Sequence, residues 1–271
     1  MSNGTLIVKR NGNKEHLNID KIHFVVDHAC KGLAGVSSSQ IEMNANLQFY
    51  DGMSTVEIQE VLIRSANDLI SLDAVNYQFA AARLLSYSIN KEVFGEYKSI
   101  PLSQMIDQNI DRGLYDSAIL DCYTKEELTT LDSYIRHSRD ENFTYAGLRQ
   151  VVDKYLCQDR SNGQLFETPQ YMYMMIAATL FAEYPKETRL HYVRKYYDAT
   201  SLFKINIPTP VMAGVRTPVR QFASCVLVDS DDTLDSIFAS DMAIGRYTAQ
   251  RAGIGINAGR IRAVNSKIRG G

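Results

Sequence analysis

Asn206-Ile-Pro-Thr-Pro-Val-Met-Ala-Gly-Val-Arg-Thr-Pro-Val-Arg-Gln-Phe-Ala-Ser-Cys-Val-Leu-Val228 is the stretch on which the fold turns. It sets three prolines, several small residues and a Ser224-Cys225 pair just ahead of an apolar run. Cys225-Val-Leu-Val228 reads as a buried strand. Asp231-Asp232 then reads as the cap of a helix through Leu234, Ile237, Phe238 and Met242, and Gly253-Ile-Gly-Ile256 as a second short strand. Strand, helix and strand at this spacing make a βαβ unit, so the strands are expected to be parallel with a right-handed crossover. A lone parallel pair is not stable and needs more sheet.

Cys225 at the lip of that strand has two readings. Beside a hydroxyl and after an Arg/Thr-rich loop, it is where a reactive thiol would meet a polar ligand. It is equally a candidate for a small buried hydrophobe, the common fate of a free cysteine. Its fellows Cys30, Cys122 and Cys157 are widely spaced and form no CxxC, which argues against a zinc ribbon, a disulfide scaffold or any metal site. The chain has 271 residues, 45% hydrophobic and 22% charged, with a net charge of −2. That is an ordinary globular composition, with no global field toward nucleic acid or membrane. No signal peptide and no apolar run of ~18 residues is read, so a cytoplasmic location is expected. Charge is nonetheless uneven. After Asp241 no acid follows, while Arg246, Arg251, Arg260, Arg262, Lys267 and Arg269 do. They make either a solvated basic face balanced by acids elsewhere or a site for polyphosphate.

Toward the N-terminus the pattern changes. Leu6-Ile-Val-Lys9 and Glu15-His-Leu17 flank Asn11-Gly12, a strong hairpin signal. Four short helices follow. The first is capped by Asp20, with Cys30 on its apolar stripe. The second starts at a Ser39/Glu42 capping box and the third at a Ser54/Glu57 capping box. The fourth runs from about Ala74 and ends near Gly95, and Pro101 is a candidate boundary. The middle block is helical, with a capping box at Thr124/Glu127, a helix over Tyr145 to Tyr155, a hairpin around Asn162-Gly163, and a helix opened by Thr168-Pro169. The Met- and Tyr-rich run from Tyr171 to Phe181 reads as core. Thr188 to Tyr197 is one more helix. His137 and His191 are read as structural or solvent-facing.

Three constellations carry candidate chemistry. Gly253-Ile-Gly-Ile-Asn-Ala258 fits a dinucleotide-binding pattern, but its glycines fall within a strand, where glycine marks a close approach instead. Lys9, Arg10, Lys21 and Lys91 are four cations in one small domain and could converge on a triphosphate. Thr55 and Glu57 serve a helix cap first and a ligand second. Asp232 with Arg262 and Arg269 suits another nucleotide, since a carboxylate accepts ribose or base hydrogen bonds and arginine forks match phosphate.

Taken together, these residues resemble a family. Val8-Lys-Arg-Asn-Gly12 with Asn18-Ile-Asp-Lys-Ile-His23 looks like the start of an ATP-cone. Pro208-Thr-Pro, Gly214-Val-Arg-Thr-Pro218, Arg220-Gln-Phe-Ala-Ser-Cys225 and Gln250-Arg-Ala-Gly-Ile-Gly-Ile-Asn-Ala-Gly-Arg-Ile-Arg262 look like the large (α) subunit of class I ribonucleotide reductase. The resemblance implies an α+β, mainly helical fold. Residues 1–95 would be the ATP-cone, 96–220 a helical domain, and 221–271 the first βαβ of an incomplete ten-stranded α/β barrel. It also implies roles. Cys225 would be one of two thiols that supply reducing equivalents. Thr209 and Ser224 would hold substrate, and Gly253 would approach it through backbone. Lys9, Glu15, Lys21, Thr55 and Lys91 would line an activity site for ATP or dATP. Asp232, Arg262 and Arg269 would belong to a specificity site for deoxynucleotide effectors.

The partners implied are the C-terminal remainder of the large subunit, a small radical-generating subunit with a di-metal centre, a second copy of the completed large subunit, and thioredoxin or glutaredoxin. Neither nucleic acid nor membrane is among them. The radical-bearing cysteine of the family lies beyond residue 271, so no reductase activity is expected of this polypeptide alone. It is expected to be the first piece of a split subunit or part of a longer chain. Gln59 and Ser88 stand where bacterial relatives often carry histidines, which bears on dATP inhibition. The alternative is a non-catalytic ATP/dATP-sensing regulator, which would resemble the chain only over residues 1–95.

Overall fold

The computed structural model describes residues 4–96, 98–250 and 252–268. It divides into two compact units, residues 1–205 and 206–271.

The first unit opens on β1 (Leu6–Val8) and β2 (Lys14–His16), paired antiparallel with Leu6 opposite His16. Asn11-Gly12 makes the turn as expected, with Gly12 at φ +83°, a left-handed backbone that a side chain would strain. A third strand, β3 (Met53–Ser54), adds parallel to the free side of β1, with Ile7 beside Met53. The sequence reading has no strand there, because two residues are too few to show alternation.

Helices α1 (Ile19–Cys30), α2 (Ser38–Asn46), α3 (Thr55–Asp68) and α4 (Tyr77–Phe94) complete the four-helix expectation. Two caps differ from it. The Asn18 side chain, not Asp20, accepts the Lys21 amide, leaving Asp20 in the first turn. There its charge still favours the helix dipole. Ser37, not Ser39, caps α2, and Glu42 turns instead to His23 Nδ1 at 2.8 Å. The Ser54/Glu57 capping box is present with both of its hydrogen bonds, and α4 stops at Gly95 with φ +73°. The small residues Ala80, Ala81 and Ala82 let α4 be buried on more than one side. It packs on α1 and α3, and also on elements of the following block.

That block comprises α5 (Leu102–Asp111), α6 (Ala118–Cys122), α7 (Lys125–Tyr134), a 3-10 segment (His137–Asn142), α8 (Tyr145–Lys154), α9 (Pro169–Leu180) and α10 (Lys186–Ser201). The 3-10 segment and α8 are the elements that meet α4. The Thr124/Glu127 capping box forms, and Glu127 does more than cap. It receives a two-pronged hydrogen bond from the buried Arg189, whose guanidinium also lies 4.4 Å from the centre of the Tyr123 ring. Tyr171 through Ala178 are all buried, so the Met/Tyr run is core. The expected hairpin around Asn162-Gly163 is short, with one bridge, Gln158 to Leu165, the Phe166 amide donating to the Cys157 carbonyl and the Asp159 amide to the Gln164 carbonyl. Asp159 accounts for this by accepting from the Ser161 amide and hydroxyl, which tightens a turn in place of strands.

A polar chain threads the core of this block. Gln170 donates to Asp140 Oδ1 at 2.7 Å, Tyr197 donates to Gln170 at 2.6 Å, and the Arg136 amide donates to Tyr197 at 2.8 Å. Asp140 is 3% exposed. Burial pushes its carboxyl up to about 7. His137 sits edge-on to Phe94 and Tyr171, and burial lowers its pKa. His191 is exposed beside Tyr192.

The second unit contains α11 (Thr209–Gly214), β4 (Cys225–Asp229), α12 (Leu234–Ala249) and β5 (Gly253–Asn257). The short α11 falls where the sequence reads as loop, with Pro210 accommodated in its first turn. Strands β4 and β5 are parallel and in register from Cys225 beside Gly253 to Asp229 beside Asn257. The helix cap is Thr233, which accepts the Ser236 amide, so Asp231 and Asp232 are released from that duty. Nor is β4 buried as expected. Val226 and Val228 are half-buried while Cys225, Leu227 and Asp229 are exposed; among the described residues α12 is the element packed on the pair. Among the described residues no helix is long and apolar enough to cross a membrane.

The Asp140 carboxyl gives a pH test. An unfolded aspartate titrates near 3.8, whereas folded Asp140 titrates near 7. Between these values the folded state holds the extra proton, so this stabilisation is full at acid pH and is lost as pH rises through 7. His137 acts oppositely, losing its contribution as pH falls below 6.5. In melting of the chain, the Asp140 contribution is therefore expected to fall as pH rises from about 4 to 7 and to level off above 7, with His137 offsetting part of that fall just below pH 6.5. Asp140→Asn, which keeps the bond from Gln170, is expected to flatten that slope, and an unchanged slope would refute the assignment.

Candidate functional site

The strand pair of the second unit has two different faces. Successive side chains of a strand alternate, so Cys225, Leu227 and Asp229 share one face with Gly253, Gly255 and Asn257. Val226, Val228, Ile254 and Ile256 take the other. The thiol thus stands on a face where its neighbouring strand carries glycine directly alongside. Cys225 is exposed among the described residues. Cys157 is buried, and burial pushes the Cys30 thiol up to about 11, far from a thiolate at neutral pH.

Ser224 and Gly253 join Cys225 at this edge. The Gly253 amide donates to the Ser224 carbonyl at 2.9 Å, and a Cβ at 253 would lie 3.3 Å from the same oxygen. Gly253 is therefore close-packed, and its N–H is committed within the chain. Thr209 begins α11 and is not part of the strand pair.

Charges gather where the strands end. Asn257 donates to Asp229 at 2.9 Å across the pair. Arg260 reaches Asp231 at 3.2 Å and Asp229 at 4.0 Å, and Arg262 Nε reaches Asp232 at 2.7 Å. Arg262 also donates to the Lys267 carbonyl. Asp232 and Arg262 are therefore together, as the sequence suggests. Arg269 lies outside the described residues, as does Arg251. The sequence reading takes Asp231 as a helix cap and Arg260 as one of the C-terminal bases, and does not name Asp229. Their signal is acids just after one strand and bases just after its parallel partner, which becomes legible only once the register is known.

The hairpin of the first unit holds a second cluster. Lys9 Nζ lies 3.0 Å from Glu15 Oε2, and Lys21 Nζ lies 3.3 Å from Glu15 Oε1. The Lys9 bond first, then the Lys21 bond, hold the Glu15 carboxyl below the usual carboxylate range. Thr55 is the first residue of α3, directly after Ser54, which pairs with Val8. Lys91 lies in the last turn of α4. Glu57 is occupied by its cap and by the Tyr50 hydroxyl at 2.9 Å. Gln59 donates to the Leu84 carbonyl at 2.8 Å, stitching α3 to α4, and Ser88 is buried on α4. Two cations and a carboxylate acceptor at one rim are a fitting donor set for a phosphorylated ribose.

Comparison with known proteins gives three family matches along the chain. The ATP cone domain family matches residues 5–92, the ribonucleotide reductase all-alpha domain matches residues 141–220, and the ribonucleotide reductase barrel domain matches residues 223–271. Over all 271 residues the chain is 51% identical to the ribonucleoside-diphosphate reductase 1 subunit alpha of Salmonella typhimurium and 50% identical to that of Escherichia coli. It is 40% identical over 264 residues, 97% of the chain, to the ribonucleoside-diphosphate reductase subunit alpha of Enterobacteria phage T4. The chain spans 36%, 36% and 34% of the lengths of these relatives. Matches beyond residue 140 favour a reductase over a free-standing ATP sensor. By domain content and by identity along its whole length, the chain belongs to the ribonucleotide reductase alpha-subunit family, of which it carries the ATP cone, the all-alpha domain and the start of the barrel domain.

Proposed function

We propose that the chain is the effector-binding and thiol-bearing part of a class I ribonucleoside-diphosphate reductase, divided into residues 1–95, 96–220 and 221–271. One observation carries the reading: Cys225 stands in register beside Gly253 and is exposed among the described residues. Loss of the ribose 2′-hydroxyl as water, with replacement by hydrogen, consumes two electrons and two protons. Two thiols supply them and become a disulfide. Cys225 is one, and the second comes from the part of the subunit that closes the barrel. Thioredoxin or glutaredoxin then restores the pair, which suits a reducing cytoplasm. A small subunit with a di-metal centre supplies the radical.

The chain's own residues divide the remaining work. Ser224 and Thr209 offer hydroxyls to the ribose or the diphosphate. Gly253 contributes closeness and not an N–H, since that N–H already serves Ser224. In the cone, Lys9, Lys21, Thr55 and Lys91 take the phosphates of ATP or dATP. Glu15 keeps two of these ammoniums in place before the nucleotide arrives. Asp232, Arg262 and Arg269 take a deoxynucleotide effector. Leu234, Phe238 and Met242 form an exposed apolar stripe on α12 that suits a second copy of the subunit.

Three measurements test this. The full chain, mixed with a polypeptide supplying the rest of an alpha subunit and with a small subunit, is expected to reduce ribonucleoside diphosphates; absence of product in an assembled complex refutes the reading. In that complex Cys225→Ser is expected to abolish multiple turnover while ATP binding persists, and sustained turnover would remove the redox role. Lys21→Ala in the full chain is expected to weaken ATP binding about tenfold, the loss of one charge-assisted contact. Calorimetry showing wild-type affinity would move the activity site elsewhere.

A further inference from the structure

The glycines of β5 alternate, so Gly253 and Gly255 lie on one face. Gly253 already has its place beside the thiol; Gly255 has none in the reading above. In the register Gly255 lies beside Leu227, one pleat along from Cys225 on the same face. A Cβ built on Gly255 would stand 2.7 Å from Leu227 Cδ2, closer than real carbon atoms approach. The leucine side chain therefore lies across the neighbouring strand, in the space that a side chain at 255 would take. Leu227 is 88% exposed among the described residues. The bare backbone of Gly255 leaves room for it.

We propose that Gly255 and Leu227 are a positioning pair for small molecules that approach Cys225. The glycine lets the leucine lie flat, and the flattened isobutyl group forms an apolar floor ~7 Å along the strand from the thiol position. On the reductase reading, on which the ligand's identity rests, the carbon face of the ribose lies on this floor while its hydroxyls meet Ser224 and the thiol. Alanine at 255 would lift the leucine off the strand. It would not break the sheet, because the atom it meets is the far end of a flexible side chain.

The test is a double-mutant cycle on the full chain with Gly255→Ala, Leu227→Ala and both together. It is read by iodoacetamide alkylation of Cys225 in the chain alone, and by steady-state kinetics in the reconstituted reductase. Gly255→Ala is expected to change the alkylation rate about threefold or more, and to raise KM for the ribonucleoside diphosphate about fivefold with kcat nearly unchanged. In the Leu227→Ala background the same substitution is expected to change each by less than about twofold. Equal effects in both backgrounds, or none in a folded Gly255→Ala chain, overturn the pairing. If Gly255→Ala does not fold, Leu227→Ala alone decides, and an unchanged KM and alkylation rate overturn it. A non-additive alkylation cycle in a chain whose wild type gives no reduction supports the pair and removes the reductase reading. The opposite outcome removes the pair and leaves that reading standing.

Discussion

Burial of α4 on more than one side is the constraint around which the first unit is organised. Its alanines admit α1 and α3 closely, and its other neighbours are α8 and the 3-10 segment. A helix in that position cannot present a polar face, and its sequence has none of the clear apolar stripe of a surface helix. Cross-links extend the same logic. Arg83 on α4 donates to the carbonyls of Ala29 and Lys31 at the end of α1, at 3.1 and 2.8 Å. Glu92 on α4 accepts the Leu165 amide at 2.8 Å. The cone and the helices that follow it share a wall.

The second unit obeys a simpler constraint. In-register parallel pairing decides at once that Cys225 meets Gly253, that Leu227 meets Gly255, and that Asp229 meets Asn257. One residue of slip would put the thiol on the face that α12 covers. The carboxyl ends of the strands then gather acids from one connection and bases from the other. The placing of Cys225 at the amino end and of charge at the carboxyl end of β4 both follow from a single set of backbone bonds.

Local features were legible in the sequence and distributed ones were not. The Asn11-Gly12 turn and the capping boxes at Ser54/Glu57 and Thr124/Glu127 are each complete within four residues. The βαβ order of residues 225–257 follows from length and period. Caps were missed where several candidates crowd together: Asn18 and Asp20, Ser37 and Ser39, Asp232 and Thr233. There the path of the backbone decides, and composition does not reveal it. Strand β3 is too short to have a pattern, and its pairing partner lies forty-six residues away. Of the site, the thiol and its glycine were readable. The Asp231–Arg260 contact depends on two loops whose course is set only after folding.

The Glu15 carboxylate bridging Lys9 and Lys21 has a kinetic side. Three side chains that together carry a single excess positive charge project a far weaker field than two bare ammoniums would. A polyanion drifting toward this rim is drawn in only gently, and added electrolyte has little attraction to screen. For a polyphosphate ligand of the kind proposed for this rim, encounter is governed more by diffusion than by long-range steering.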